Sequence, residues 1–202
     1  WLAEDYWFTG AVSGAAEALA ATERIPVGLG IVSALVRHPS LLAMEVSTLS
    51  RIHPGRFWPG IGLGLPAWLD QMGLRPGSQL AAMRECVTSL RRLLAGEALT
   101  EAGREFRFDG IQLSYPLDPV PPISMGVLGP KMLQLAGEVA DGTVGSVLAG
   151  TAYIKWARER IAEGQSAAGR SGHHRFAAFA MYAVDTDGAK AKAALRQMTA
   201  FY

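Results

Sequence analysis

The sequence predicts an α/β fold made of repeated strand–helix units, and three observations carry that prediction. Short apolar runs alternate with longer stretches whose apolar residues recur at helical spacing. The connections between them are short, and Pro and Gly stand where such units start and stop helices. Right-handed crossovers in a series of this kind build a doubly wound sheet or a closed barrel. A TIM (β/α)8 barrel needs eight units, and about six are legible here with ragged ends, so an incomplete barrel with its first and last units missing or partial is expected. The doubly wound sheet stays open as the alternative.

Residues 1–4 read as the tail of a strand, and Ser13 as the cap of a helix to Thr22 with Glu17 in its first turns. Residues 25–32 form an apolar strand with Pro26 near its start. Pro39 suits the first turn of the next helix, where Leu42, Val46 and Leu49 share a face. Strand 56–63 follows, then a helix over 78–95 with Leu80, Met83, Val87, Leu90 and Leu94 on one side and Gly96 just beyond its end. Residues 105–114 break the alternation as a β-hairpin insertion turning at Asp109-Gly110. Strand 123–127, helix 130–140, strand 143–147, helix 151–163, strand 176–184 and helix 188–201 complete a single domain over 1–202. The chain opens at Trp1, inside what reads as an ordered element, and is expected to be part of a longer protein.

Composition narrows the functional classes. Half of the 202 residues are hydrophobic and the formal charge is +1, which gives no electrostatic footprint for nucleic acid or an anionic membrane. No apolar run approaches the roughly 20 residues of a membrane span. A single cysteine, Cys86, excludes an internal disulfide and suits a reducing compartment, so a cytoplasmic protein is expected.

In a parallel barrel, ligands bind where strands end. Those positions are Glu4-Asp5-Tyr6, Gly30 to Ser33, Gly62 to Leu65, Gly126 to Lys131, Val147 to Gly150 and Tyr182 to Asp185. No nucleophile–base set, inward carboxylate pair or metal spacing can be assembled from them, so no metal is expected. His173-His174 lies in a polar loop away from this rim, and Cys86 falls mid-helix as a packing residue. The rim is instead rich in glycine. Gly60-Ile-Gly62-Leu-Gly64 and Gly126-Val127-Leu128-Gly129-Pro130 would let backbone approach a ligand closely, or would serve only as tight turns. The second precedes a helix whose first N–H groups can hold an anion, with Lys131 adding charge. A phosphate-bearing cofactor fits, and a cofactor that carries the reaction needs few catalytic side chains around it.

Gly30-Ile-Val-Ser-Ala-Leu-Val-Arg37-His38-Pro39, then Pro54-Gly55-Arg56 with Gly60-Ile-Gly62-Leu-Gly64, then Gly129-Pro130-Lys131-Met-Leu-Gln-Leu-Ala-Gly137-Glu138-Val-Ala-Asp141-Gly142 together resemble the luciferase-like monooxygenase superfamily. Within it, the chain resembles the deazaflavin (coenzyme F420) branch of methylenetetrahydromethanopterin reductase-like proteins. The resemblance implies an oxidoreductase on a TIM barrel that moves a hydride between the deazaflavin and a small organic substrate. It implies a non-prolyl cis peptide at Gly30-Ile31 behind the cofactor ring, the phosphate held by Gly126, Val127, Leu128, Gly129 and Pro130, and Glu4 and Asp5 near the ring. Many relatives carry Asp-His where this chain has Glu4-Asp5, which leaves Asp5 as the candidate catalytic group. Arg37 and His38 would organise the loop, Arg56 would pair with a helix terminus, and Trp58 and Trp68 would pack or line the pocket. The resemblance also implies a homodimer formed through helices beside the second to fourth strands. An FMN-dependent monooxygenase is the nearest alternative, and a non-catalytic cofactor-binding remnant is a second.

Overall fold

The computed structural model describes residues 1–5 and 7–201, the side chains at 197, 198 and 201 excepted. In chain order its elements are α1 (Ala11–Ala20), β1 (Val27–Gly28), β2 (Val32–Ser33), α2 (Pro39–Ile52), β3 (Phe57–Trp58), β4 (Gly60–Gly62), α3 (Pro66–Met72), α4 (Gln79–Leu94), β5 (Leu99–Ala102), β6 (Arg107–Ile111), β7 (Ser124–Gly126), α5 (Pro130–Val139), β8 (Gly142–Val144), α6 (Thr151–Ala167), β9 (Arg175–Ala177) and α7 (Gly188–Phe201). Leu2 bridges in parallel to Leu29, and β1 pairs in parallel with β3. A five-stranded parallel sheet then runs β2-β4-β7-β8-β9. Apart from the separate hairpin β5–β6, each strand position therefore neighbours the one before or after it in the chain. A doubly wound sheet reverses its order at a switch point. No reversal occurs here, so the order is that of a barrel wall.

Helices α1, α2, α4, α5 and α6 each bury one stripe, whereas α3 buries only Leu69 and α7 none of its described side chains. On α1 the stripe is Ala11, Ala15 and Leu19; on α4 it includes Met83, Cys86, Val87, Leu90 and Leu94. Fully burying each leucine contributes about 1.5–3 kcal/mol. Pro39 occupies the first turn of α2 and Gly96 follows α4 at φ 91°, both as the sequence indicates, and Ser78 Oγ accepts the Ala81 N–H at 3.3 Å to cap α4. Burial pushes the Cys86 thiol up to about 12, so it stays protonated and packs.

The wall's tightest join is the α5–α6 crossing. A Cβ on Gly137 would stand 2.1 Å from the Ile161 carbonyl oxygen, and one on Gly164 would stand 1.9 Å from that of Gln134. Only hydrogens in both places let the two backbones meet. Beneath the sheet, Asp141 gathers three donors: Arg91 at 2.7 Å, Arg170 at 2.8 Å and the Ile123 N–H at 2.9 Å. Burial pushes its pKa up, but the Arg91 hydrogen bond, the Ile123 N–H and both guanidinium charges outweigh that, leaving it below the usual carboxylate range.

Several boundaries differ from the sequence expectation. Helix α1 starts at Ala11 with Gly10 as its cap, because Ser13 Oγ donates back to the Gly10 carbonyl at 3.0 Å and is not available to cap. The hairpin lies at 99–111 and reverses at Gly103 to Phe106, not at Asp109-Gly110. The Glu85 carboxylate accepts the N–H groups of Arg104, Glu105 and Phe106 at 2.9–3.1 Å and so fixes the reversal there. Gly110, at φ 65°, instead sits within β6, in a hairpin whose register shifts between Leu99 and Glu101; its N–H goes to Thr100 Oγ1 at 3.0 Å. Helix α3, begun by Pro66 and stopped by Gly73 at φ 69°, was not expected. Strand β9 ends at Ala177, and residues 178–187 carry no helix or strand, with Tyr182 and Val184 exposed.

Candidate functional site

The C-terminal ends of the strands bring Glu4, Gly30-Ile31, Arg37, Gly62 and Gly126 to Gly129 to one rim. Glu4 is buried there at 8% exposure. Its carboxylate takes both arms of Arg37 at 2.7 and 2.8 Å, and Oε1 also accepts the Ala11 N–H at 3.3 Å, which supplies the acid that α1 lacks in its own first turn. Arg37 Nε lies 3.4 Å from Glu45 Oε2, an ion pair without a hydrogen bond. One guanidinium thus serves two carboxylates unequally. Burial raises the Glu45 pKa; Arg37 opposes this and Glu4 reinforces it.

His38 closes this corner from outside. Its Nδ1 accepts the Ser40 N–H at 3.3 Å, capping α2, which leaves the proton on Nε2 to donate to the Arg107 carbonyl at 3.1 Å. Phe106 and Phe108 pack on its ring at 5.8 and 5.0 Å between centroids. The hairpin is therefore fastened to the loop that carries Arg37.

The Gly30-Ile31 peptide is cis, and the adjoining backbone is tied to the first strand: Gly30 N–H donates to Leu2 at 2.7 Å, and Glu4 N–H to Ile31 at 3.3 Å. The interior glycines have different tasks. Gly28 gives way to the Trp1 indole, and a Cβ on Gly60 would stand 2.0 Å from the Leu29 carbonyl oxygen, so both are used up by the protein itself. Gly64, at φ 87°, makes a turn. Gly129, by contrast, faces open space, with nothing within 4 Å of an added Cβ.

Gly129 is also the cap of α5, without any side-chain cap. With Pro130 first in the helix, the N–H groups of Lys131 and Met132 have no acceptor within it. Tyr153 Oη, near the start of α6, donates to the Leu128 carbonyl at 2.8 Å. Within a trans peptide the N–H points opposite the carbonyl, so this bond turns the Gly129 N–H away from Tyr153. Open glycine backbone, free helix N–H groups and the exposed Lys131 are the donor set that a phosphate needs.

Asp5 lies exposed beside Glu4, and its carbonyl accepts the Phe8 N–H at 2.9 Å; Tyr6 lies outside the described residues. Val127 is buried and Leu128 half-exposed. Arg56 reaches the end of α1, bonding Thr22 Oγ1 at 2.7 Å and the Leu19 carbonyl at 3.3 Å, in the structural role expected of it. Trp58, half-buried, packs between Trp1 and the Arg175 guanidinium, 3.9 Å from its ring centre. Among the described residues no group of three or more His, Cys, Asp or Glu is placed to hold a metal. The Arg37–Glu4 pair and Tyr153 were not foreseen: the first joins residues 33 positions apart, and a tyrosine inside a helix carries no signal of what its hydroxyl will meet.

All 202 residues match the Luciferase-like monooxygenase family. The chain belongs to that family. This luciferase-like chain is 36% identical over 184 residues to the 5,10-methylenetetrahydromethanopterin reductase of Methanolobus tindarius, covering 89% of the chain and 55% of the relative. It is 33% identical over 135 residues to the F420-dependent glucose-6-phosphate dehydrogenase of Nakamurella multipartita, covering 62% and 38%. Among solved structures, the coenzyme F420-dependent tetrahydromethanopterin reductase of Methanopyrus kandleri superposes with a TM-score of 0.89 at 28% identity, covering all of this chain and 62% of that one. An F420-dependent secondary alcohol dehydrogenase with an F420–acetone adduct matches at 0.86 and 25%, covering 97% and 64%. This luciferase-like chain thus has the TIM-barrel fold of these enzymes and spans about half the length of the curated relatives it matches.

Proposed function

We propose that this protein is an oxidoreductase that exchanges a hydride between coenzyme F420 and a small organic molecule. The observation carrying the reading is the pairing, on one rim, of an uncapped α5 N-terminus behind the open Gly129 with the Gly30-Ile31 backbone. Relatives at 33% identity or more that are named for F420 or for methylenetetrahydromethanopterin reduction support it over FMN. The bound deazaflavin would supply the hydride-carrying ring. The chain's own residues would do the rest. The Gly129, Lys131 and Met132 N–H groups and the Lys131 ammonium would hold the phosphate, with Gly126, Val127, Leu128 and Pro130 shaping that loop. Gly30 and Ile31 would support one face of the ring. Glu4, committed to Arg37 and to α1, would fix the wall beside it, while Asp5, exposed on the same rim, would exchange a proton at its carboxylate.

The test is titration of the protein with F420 and with FMN, followed by single-turnover hydride transfer. Saturable F420 binding is expected. Binding of FMN alone would replace this reading with the flavin monooxygenase, and F420 binding without transfer to any substrate would leave a non-catalytic cofactor-binding protein. The protein would pair as a homodimer through α2, where Leu41, Met44 and Ile52 are exposed in one stripe beside Tyr115. Sedimentation of wild type against Met44→Glu, expected monomeric, tests that pairing. No described helix is long and apolar enough to cross a membrane.

A further inference from the structure

The Ile31 side chain does not stay over its own strand. A Cβ added to Gly62 of β4 would stand 2.7 Å from Ile31 Cδ1, and one added to Gly126 of β7 would stand 2.6 Å from Cγ2 and 3.2 Å from Cγ1. Gly62 and Gly126 are direct register partners on adjacent strands. One branched side chain thus lies across two paired glycines. At Gly62 the added Cβ would also meet Ile31 Cγ1 at 2.8 Å and the Gly126 carbonyl oxygen at 3.0 Å, so backbone closes that side as well. The contact at Gly126 is with the branch itself, whose χ1 is stiff. Gly126 is also where β7 ends and the loop to the α5 N-terminus begins.

We infer that Ile31, Gly62 and Gly126 form a steric gauge that sets the distance between the residues supporting the cofactor ring and the loop holding its phosphate. The inference rests on the proposed cofactor site. Its physical content is pre-organisation: a ligand anchored at both ends gains from a correct spacing, whereas a ligand anchored at the ring alone can follow the ring support wherever it moves. Gly126→Ala would push Ile31 away and change the spacing. Ile31→Ala in the same chain would remove the colliding atoms and restore it.

The experiment measures Kd for F420 and for the same deazaflavin lacking its phosphate, in wild type, Gly126→Ala, Ile31→Ala and the double variant. Wild type is expected to prefer the phosphorylated ligand. That preference should fall about tenfold in Gly126→Ala and return in the double variant. Equal weakening of both ligands in Gly126→Ala, or a preference that does not return, overturns the gauge while leaving the cofactor assignment standing. Wild type binding neither ligand overturns both. If Gly126→Ala does not fold, folding and ligand preference regained in the double variant support the gauge, and failure to regain them overturns it.

Discussion

Arg37 is the residue on which the rim's order depends. Its guanidinium holds a carboxylate whose side chain is only 4% exposed. Replacing it by leucine strands that charge, so Arg37→Leu is expected to cost about 3–5 kcal/mol of unfolding free energy measured by urea denaturation. Arg37→Lys should recover only part, since an ammonium cannot engage both oxygens in a fork. His174 gives the acid response of the fold. Burial first, then Arg170, His173 and Arg158, hold its pKa down to about 4 against the opposing charge of Asp141, while its ring bonds Thr143 Oγ1 at 2.8 Å. The unfolded chain takes up this proton near its ordinary pKa of about 6.5 and the folded chain near 4, so stability falls as pH drops between those values. Asp141, held below the ordinary carboxylate range, adds its loss only below about pH 4, as pH falls through its depressed value. His174→Gln should flatten the midpoint-against-pH curve above about pH 4 and leave the steeper limb below it.

At the scale of elements, the α5–α6 crossing admits no methyl group. Gly164→Ala should destabilise by about 2–3 kcal/mol or more, because the clash is with the Gln134 backbone and cannot be relieved by a rotamer change. A melt equal to wild type would contradict the packing. The elements themselves were largely legible, because strand–helix alternation, Pro39 and Gly96 are local signals. What escaped was set at a distance. The hairpin reversal moved because a carboxylate on α4 collects its amides, and Asp109-Gly110, a strong local turn signal, was absorbed as an irregularity in β6. Strand β9 stops early because the apolar residues after Ala177 have no neighbouring strand to pair with among the described residues. In the site, the Gly129 to Lys131 loop and the Gly30-Ile31 backbone followed from a resemblance carried by contiguous residues. Arg37–Glu4, Tyr153–Leu128 and the Ile31 shelf join segments far apart in sequence, where no spacing rule reaches.

For the whole molecule, binding and folding are linked. Coenzyme F420 held at about 100 times its Kd should stabilise the protein by about 2.7 kcal/mol. In a chain of this length that is about 5–10 °C in Tm, with FMN at equal concentration leaving it unmoved. A shift with FMN and none with F420 would reverse the cofactor assignment. The consecutive strand order bears on synthesis as well. Since every piece of the wall abuts the piece made just before it, a nascent polypeptide can lay down its layers as they leave the ribosome, with little loop closure to wait for at each step. Ties such as Asp141 back to Arg91, across 50 residues, and Arg107 back to His38, across 69, must wait for a later segment to arrive and lock an earlier one in place.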